Sequence, residues 1–131
     1  MIKAYHLSTG PDGHSHVIRG SIVDHEMITT GSIHFEETPP HSSLDWHRAP
    51  TTQYVITLAG ELEFVTHGGE TFTICPGDLL VALDTTGTGH KWRLTNDQPW
   101  KRAYVTFKEN AKINFRATDA SGPVEEFFAG T

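Results

Sequence analysis

Short apolar runs separated by turn residues extend along the central part of the chain. The runs have strand length, are rich in Val, Ile, Thr, Phe and Tyr, and several alternate apolar with polar positions. Their sequences are QYVITLAG (53–60), ELEFVT (61–66), TFTIC (71–75), LLVAL (79–83), HKWRL (90–94) and RAYVTF (102–107). Gly- and Pro-containing segments such as HGGE and CPGD lie between them. This pattern predicts an all-β sandwich or barrel.

Helical periodicity is weak and is confined to the C-terminal tail. In GPVEEFFAG (122–130), the side chains of Val124, Phe127 and Phe128 would form one short apolar stripe on a helix. The sequence therefore predicts at most one short helix, at the C-terminus.

The strand predicted over residues 53–58 has two different faces, because alternate side chains of a strand point in opposite directions. One face carries Gln53, Val55 and Thr57. The opposite face carries Tyr54, Ile56 and Leu58. This second set is too apolar to face water alone, so we expect a second sheet and a homodimer interface to cover it.

Polar side chains elsewhere are predicted to share an interior with Gln53. Strand alternation places Asp45 on the same face as His47, and it places His90 on the same face as Trp92. If these strands are neighbours, two imidazoles, a carboxylate and an amide converge. Such nitrogen and oxygen donors suit divalent metal ions.

Length and charge exclude several classes of protein. The chain has 131 residues, which is one domain by length, and a formal charge of -6 without a basic cluster. These properties argue against binding to nucleic acid or to an anionic membrane surface. The first residues lack the apolar segment of a signal peptide, so we expect a cytoplasmic protein. Cys75 is the only cysteine, and we expect a buried, inert thiol rather than a disulfide.

Three segments resemble the conserved motifs of the cupin superfamily. DWHRAPTTQYVITLAG (45–60) resembles the first motif, and CPGDLL (75–80) followed by DTTGTGH (84–90) resembles the second. The resemblance covers about residues 28–107 and is greatest to small, single-domain, RmlC-like cupins of uncharacterised function. It implies a double-stranded β-helix, or jelly-roll barrel, in one domain over residues 1–131. The cupin core would span about 28–107, with N-terminal strands in 1–27 and a C-terminal tail in 108–131.

The resemblance also implies a site inside the barrel. Asp45 stands where the superfamily has its first histidine, Gln53 replaces the glutamate, and Thr85 replaces the second-motif proline. Carried over position by position, the implied ligands of a divalent ion (Fe, Mn, Ni or Zn) are His47, Gln53, His90 and Asp45. The implied substrate pocket is lined by Trp92, Val55 and Thr57.

Two functions remain open from the sequence. One is a metal-dependent enzyme of the dioxygenase or isomerase type that acts on a small polar molecule. The other is a metal-free cupin that binds a small carboxylate or sugar-like ligand without catalysis. An acid–base enzyme without metal would need a tyrosine facing a histidine, and the sequence does not position Tyr54 or Tyr104 for this role.

Two further hypotheses concern residues near the motifs. Asp84 precedes the glycine-rich turn, where its carboxylate could hydrogen-bond a site histidine and fix its tautomer. His14 and His16 have the spacing of a metal motif, but the surrounding GPDGHSH segment is better interpreted as a turn.

Overall fold

The computed structural model describes residues 1–118 and 125–130. The strands are β1 (Ile2–Thr9), β2 (Ser15–Ile22), β3 (Thr30–Thr38), β4 (Ser43–His47), β5 (Gln53–Ala59), β6 (Leu62–Thr66), β7 (Thr71–Ile74), β8 (Leu79–Ala82), β9 (His90–Leu94), β10 (Trp100–Phe107), β11 (Lys112–Ile113), β12 (Arg116–Ala117) and β13 (Phe127–Phe128). Neither described range contains a helix, and consequently none that could span a membrane.

The strands form two facing sheets and a short pair. The seven-stranded sheet has the order β12-β2-β1-β8-β5-β10-β3, and the four-stranded sheet has the order β4-β9-β6-β7. Strand β1 runs parallel to β8, whereas β5 runs antiparallel to both β8 and β10. Each sheet thus includes neighbouring strands that are distant in sequence, such as β5 beside β10 and β4 beside β9, as in a jelly roll. The prediction of an all-β jelly roll is confirmed.

The main core lies between the two sheets. Alternation along β6 buries Leu62 and Phe64, and alternation along β9 buries His90, Trp92 and Leu94. The side chains of β7 and β8 complete this core with Phe72, Ile74 and Leu80. The alternation of apolar and polar residues along these strands explains which of their side chains point into the core.

The outer face of the seven-stranded sheet is covered by the C-terminal segment. Tyr54 packs there in a second core with Phe107, Ile113, Phe115 and Phe127. The second sheet lies on the other side, so the expectation that it would cover Tyr54 was wrong. Leu58, at the end of the same apolar face, remains 55% exposed.

Strand pairing also replaces the predicted C-terminal helix. Phe127 and Phe128 form β13, which pairs antiparallel with β11. The helical interpretation of these residues was therefore wrong, and Val124 lies outside the described residues. The burial of Phe127 beside Phe115 explains why an extended conformation is favoured, since it places one phenylalanine inward and the next outward.

Cys75 lies directly after β7 and is half-buried rather than buried. Burial, together with the negative charges of Glu61 and Asp78, raises the pKa of its thiol. The thiolate is thereby disfavoured, which agrees with the expected low reactivity.

Candidate functional site

A cavity of about 640 Å³ opens between the two sheets and is within the range of small-molecule sites. Five of the residues proposed from the sequence line it. They are His47, Gln53, Val55, His90 and Trp92. The structure therefore brings the two histidines and the amide together.

A local irregularity positions His47. The register between β4 and β9 shifts between Leu44 and His47, and His47 then pairs directly with His90. Gly89 has a φ of +74°, and a Cβ atom there would collide with the backbone carbonyl of His47. A glycine is needed at this position because both the conformation and the close approach exclude a side chain.

The two imidazoles contact each other edge to face, with ring centroids 4.4 Å apart and an interplanar angle of 62°. The Nδ1 atom of His47 donates to the backbone carbonyl of Asp45 at 2.8 Å. The Nδ1 atom of His90 donates to Asp84 Oδ2 at 2.6 Å. In the neutral form of each ring, a proton on Nδ1 leaves a lone pair on Nε2.

Asp84 is fully buried behind His90. Its Oδ2 atom also accepts a hydrogen bond from the Ser15 hydroxyl at 2.6 Å. A buried carboxylate requires such partners, because its desolvation would otherwise be very costly. The hydrogen bond hypothesised between Asp84 and a site histidine is therefore present, and it fixes the tautomer of His90.

His47 is half-buried, and burial lowers the pKa of its imidazole. The nearby His90 ring lowers it further, while the Asp45 carbonyl and the Asp84 charge act in the opposite direction. The neutral form of His47 is therefore favoured, and in that form its Nε2 atom can accept a hydrogen bond or bind a cation.

Asp45 is not part of this group. Its carboxylate accepts a hydrogen bond from the Trp46 backbone N–H at 2.8 Å, and it lines a separate surface depression with Lys91 and Arg93. The register shift in β4 breaks the alternation on which the shared face with His47 was predicted, so that prediction was wrong.

Thr57 lies beside the cavity without lining it. It is 1% exposed, and its hydroxyl accepts a hydrogen bond from Trp100 Nε1 at 3.2 Å. Trp100 in turn packs edge to face against Trp92, with ring centroids 4.8 Å apart. Thr57 therefore fixes an aromatic wall rather than contacting a ligand.

Sequence reasoning missed the contribution of β10. Trp100, Arg102 and Tyr104 all line the cavity, and their spacing of two residues would have placed them on one strand face. The sequence predicts a strand over residues 102–107 but no site residue on it.

Tyr104 is the tyrosine that reaches the cavity. Its ring stacks on His34 at 4.8 Å, and burial raises the pKa of its phenol although Arg102 opposes this effect. Tyr54 instead points away, with its hydroxyl bonded to the Asn114 carbonyl at 2.8 Å. One tyrosine therefore lines the same cavity as the two site histidines.

The residues of the cavity fit a divalent metal only in part. His47 and His90 are good nitrogen donors, but Gln53 is a neutral oxygen donor. Within residues 1–118 and 125–130, no three His, Cys, Asp or Glu side chains are grouped so that they could hold a metal ion. The donor set consists of two imidazoles and one amide, without the carboxylate of the superfamily pattern.

The segments that resemble the two cupin motifs are adjacent in space. His47 ends β4, His90 begins β9 and pairs with it, and Gln53 begins β5 in the facing sheet. This placement on a two-sheet jelly roll is the one that the sequence resemblance implies. The chain has a cupin-like fold.

Comparisons with known proteins give distant similarities. No family model matches the chain. The cupin-like chain is 31% identical to the Oryzines biosynthesis cluster protein J of Aspergillus oryzae over an alignment of 108 positions, which covers 76% of this chain. It spans 59% of the length of that relative.

Solved structures are similar at low identity. A cupin-superfamily sugar phosphate isomerase from Silicibacter pomeroyi is 18% identical, with a TM-score of 0.46, and the match covers 90% of this chain and 77% of that one. A conserved Streptococcus pyogenes protein of unknown function is 17% identical, with a TM-score of 0.42 and 80% coverage of each chain. A Neisseria meningitidis protein is 12% identical, with a TM-score of 0.43, covering 68% of this chain and 82% of that one.

Proposed function

We propose that this cupin-like protein binds a small organic molecule in the cavity between its sheets. In this proposal the Nε2 atoms of His47 and His90 accept a hydrogen bond, or a proton, from the polar end of the ligand. One observation carries the proposal: each Nδ1 atom donates to an oxygen acceptor, so each ring in its neutral form offers a lone pair at Nε2. Aromatic side chains around two such polar groups are typical of a small-molecule site.

The contacts of His90 support proton transfer as well as binding. When Nε2 accepts a proton, the ring becomes an imidazolium whose charge is stabilised by the Asp84 carboxylate at Nδ1. The phenol of Tyr104 lines the same cavity and offers a proton donor. The curated relative is named for a biosynthesis cluster, which is compatible with a small organic ligand.

A divalent ion at His47, His90 and Gln53 is the second candidate. It is favoured by the same two hydrogen bonds, because metal-ligating histidines generally donate their other ring N–H to an oxygen acceptor. An iron, manganese, nickel or zinc ion would supply Lewis acidity to a substrate oxygen. The absence of a carboxylate from the donor set ranks this candidate second.

Elemental analysis separates the two candidates. We expect protein purified without a histidine tag, from cells supplemented with each metal in turn, to contain far less than one metal ion per chain. Small hydroxy acids and sugars should still bind after treatment with a chelator, as measured by isothermal titration calorimetry. Ligand binding should weaken in His47→Ala and His90→Ala, whereas His41→Ala, at an exposed histidine outside the cavity, serves as the matched control.

Stoichiometric metal that disappears in the His47→Ala, His90→Ala double variant would establish the second candidate instead. Binding that is equal in the wild type and in both single variants would rule out the proposed role of the imidazoles.

A further inference from the structure

We infer that the ligand of this cavity is a small carboxylic acid and that Arg102 binds its carboxylate. This inference rests on the proposed function and adds the chemical class of the ligand. It is based on Arg102, a buried cation that lines the same cavity and has no role in the proposed chemistry of the histidines.

Arg102 is 5% exposed and lines the cavity from β10. Its guanidinium stacks on the Trp100 ring, with Cζ 3.9 Å from the ring centroid. Its Nε atom donates to the Tyr104 hydroxyl at 3.0 Å, and its Nη1 atom donates to Thr38 Oγ1 at 2.5 Å and to the Trp100 carbonyl at 3.1 Å. These contacts hold the guanidinium in one orientation, which is how binding sites are preorganised.

The Nη2 atom is the part of Arg102 that remains for a ligand. It lies 3.6 Å from Glu36 Oε1, which is too long for a direct hydrogen bond. Glu36 is itself half exposed, and it also contacts His34 at 3.1 Å. The buried Arg102 charge is therefore paired with a half-exposed carboxylate through an ion pair that is longer than a hydrogen bond, and a ligand carboxylate hydrogen-bonded to Nη2 would compete with it.

A carboxylate fits this nitrogen better than a phosphate does. Most of the guanidinium donors are already used, so a dianion with many acceptor oxygens would remain poorly satisfied. The nearby Glu36 charge also repels a dianion more strongly than a monoanion.

Aromatic side chains separate Arg102 from the histidines and define the body of the ligand. The Phe64 ring lies 5.8 Å from the His90 ring and 6.5 Å from the Trp100 ring, and Trp100 contacts Arg102. A molecule that lies along the Phe64 and Trp100 rings would have an anionic end at Arg102, an apolar or flat middle, and a hydrogen-bonding end at His47 and His90.

Matched acid and amide probes test the inference. We would titrate the protein by calorimetry with 4-hydroxyphenylacetate, 4-hydroxyphenylacetamide and 4-hydroxybenzylphosphonate, and with the aliphatic pair 5-hydroxypentanoate and 5-hydroxypentanamide. We expect at least one acid to bind about tenfold more tightly than its amide, which is the effect of one charge-assisted hydrogen bond. The phosphonate should bind more weakly than the acid.

Two substitutions should act in opposite directions. Arg102→Gln should abolish the preference for the acid over the amide. Glu36→Gln should tighten binding of the acid about threefold, because it removes a competing negative charge without altering the core. Glu37→Gln is the matched control, since it makes the same change of charge at the next position of β3, which points to the opposite face of the strand and does not line this cavity.

The Glu36→Gln result keeps the test informative if Arg102→Gln does not fold. Equal affinity for every acid and its amide, an unchanged acid affinity in Glu36→Gln, or tighter binding of the phosphonate would each overturn the inference. Equal binding of acid and amide that still depends on His47 would leave the proposed function intact. Failure of both acids and amides to bind would count against the proposed function as well.

Discussion

Asp84 holds His90 in one tautomer through a hydrogen bond of 2.6 Å between Oδ2 and Nδ1. Both side chains are buried, so water does not compete for this bond. The chemistry available at His90 Nε2 therefore depends on a residue that does not line the cavity itself.

Asp84→Asn should disturb this arrangement while conserving the volume of the side chain. An asparagine can present either an oxygen or an NH₂ group to Nδ1, so we expect a mixture of His90 tautomers in place of the Nδ1-protonated form. The free energy of unfolding should fall by about 1–3 kcal/mol, because a charge-assisted hydrogen bond in the interior is lost. Long-range ¹H–¹⁵N correlation spectra of the imidazole measure the tautomer populations. Denaturant titrations measure the free energy of unfolding.

Ser15→Ala is the control for Asp84→Asn. It removes the other hydrogen bond to Asp84 Oδ2 but leaves the carboxylate facing His90. We expect a stability loss of about 1 kcal/mol with the tautomer of His90 unchanged. A single unchanged tautomer in Asp84→Asn would contradict the role assigned to Asp84.

The all-β fold and much of the site could be predicted because both follow from short-range patterns. Alternation in β5 and β9 placed Gln53 and His90 on inward faces, and the glycine at position 89 marked a tight turn beside a histidine. These features depend on a few neighbouring residues and on the period of a strand.

The remaining parts of the site depend on long-range pairing. Asp45 was misplaced because the register shift in β4 arises from pairing with β9, which is more than forty residues away in the sequence. Arg102 was missed because its burial requires Trp100, Thr38 and Tyr104 to surround it, and Thr38 lies on another strand. The alternation of β10 places Trp100 and Tyr104 on the same face as Arg102, but no local pattern predicts the contact with Thr38.

His6 should make the fold sensitive to acid. Its ring is buried against Phe115 and Phe127, and burial lowers its pKa from 6.5 to about 4. Between these two values the unfolded chain binds a proton that the folded chain does not. The contribution of neutral His6 to the free energy of unfolding is therefore fully present above pH 6.5 and is lost as the pH falls towards 4.

His6→Leu removes this proton-binding group from the core. Between pH 7 and pH 5 the wild type should lose about 2 kcal/mol of unfolding free energy that the variant retains, which corresponds to about 1.5 pH units below the unfolded pKa at 1.36 kcal/mol each. Urea titrations at the two pH values provide the measurement. If the free energy of unfolding changed equally with pH in the two proteins, the pKa of His6 would be the same in the folded and the unfolded chain.

The outer side of β3 should mediate a homodimer. Ile33 and Phe35 are 59% and 67% exposed, and Leu58 on nearby β5 is 55% exposed. Strand β3 is also the last strand of its sheet, so among the described residues one edge of its backbone has no neighbouring strand. Pairing with a second copy would cover both the apolar side chains and this edge.

Light scattering tests this assembly. We expect a dimer for the wild type and a monomer for the Ile33→Lys, Phe35→Lys double variant, because buried lysines oppose association. Phe128→Lys, at a phenylalanine of similar exposure on β13, should remain dimeric. A monomeric wild type at all concentrations would exclude the prediction.

Gly89→Ala should damage the site more than an ordinary glycine substitution. Gly89 and Gly69 have similar positive φ angles, +74° and +84°, so alanine costs about 1–2 kcal/mol of backbone strain at either position. A Cβ atom at Gly69 would meet no atom within 4 Å, whereas at Gly89 it would collide with the His47 carbonyl. Only Gly89→Ala must therefore displace His47 from His90.

The comparison of these two variants separates the effect of the collision with the His47 carbonyl from the backbone strain of a positive φ angle. Both should lower the free energy of unfolding, but Gly89→Ala should lower it by at least about 1 kcal/mol more, since backbone atoms at the contact cannot move without breaking strand pairing. It should also shift the NMR signals of the His47 and His90 rings, which Gly69→Ala leaves in place. Equal stability losses and unshifted imidazole signals would mean that the turn relaxes without moving His47, and that the close pairing of the two histidines does not require a glycine at position 89.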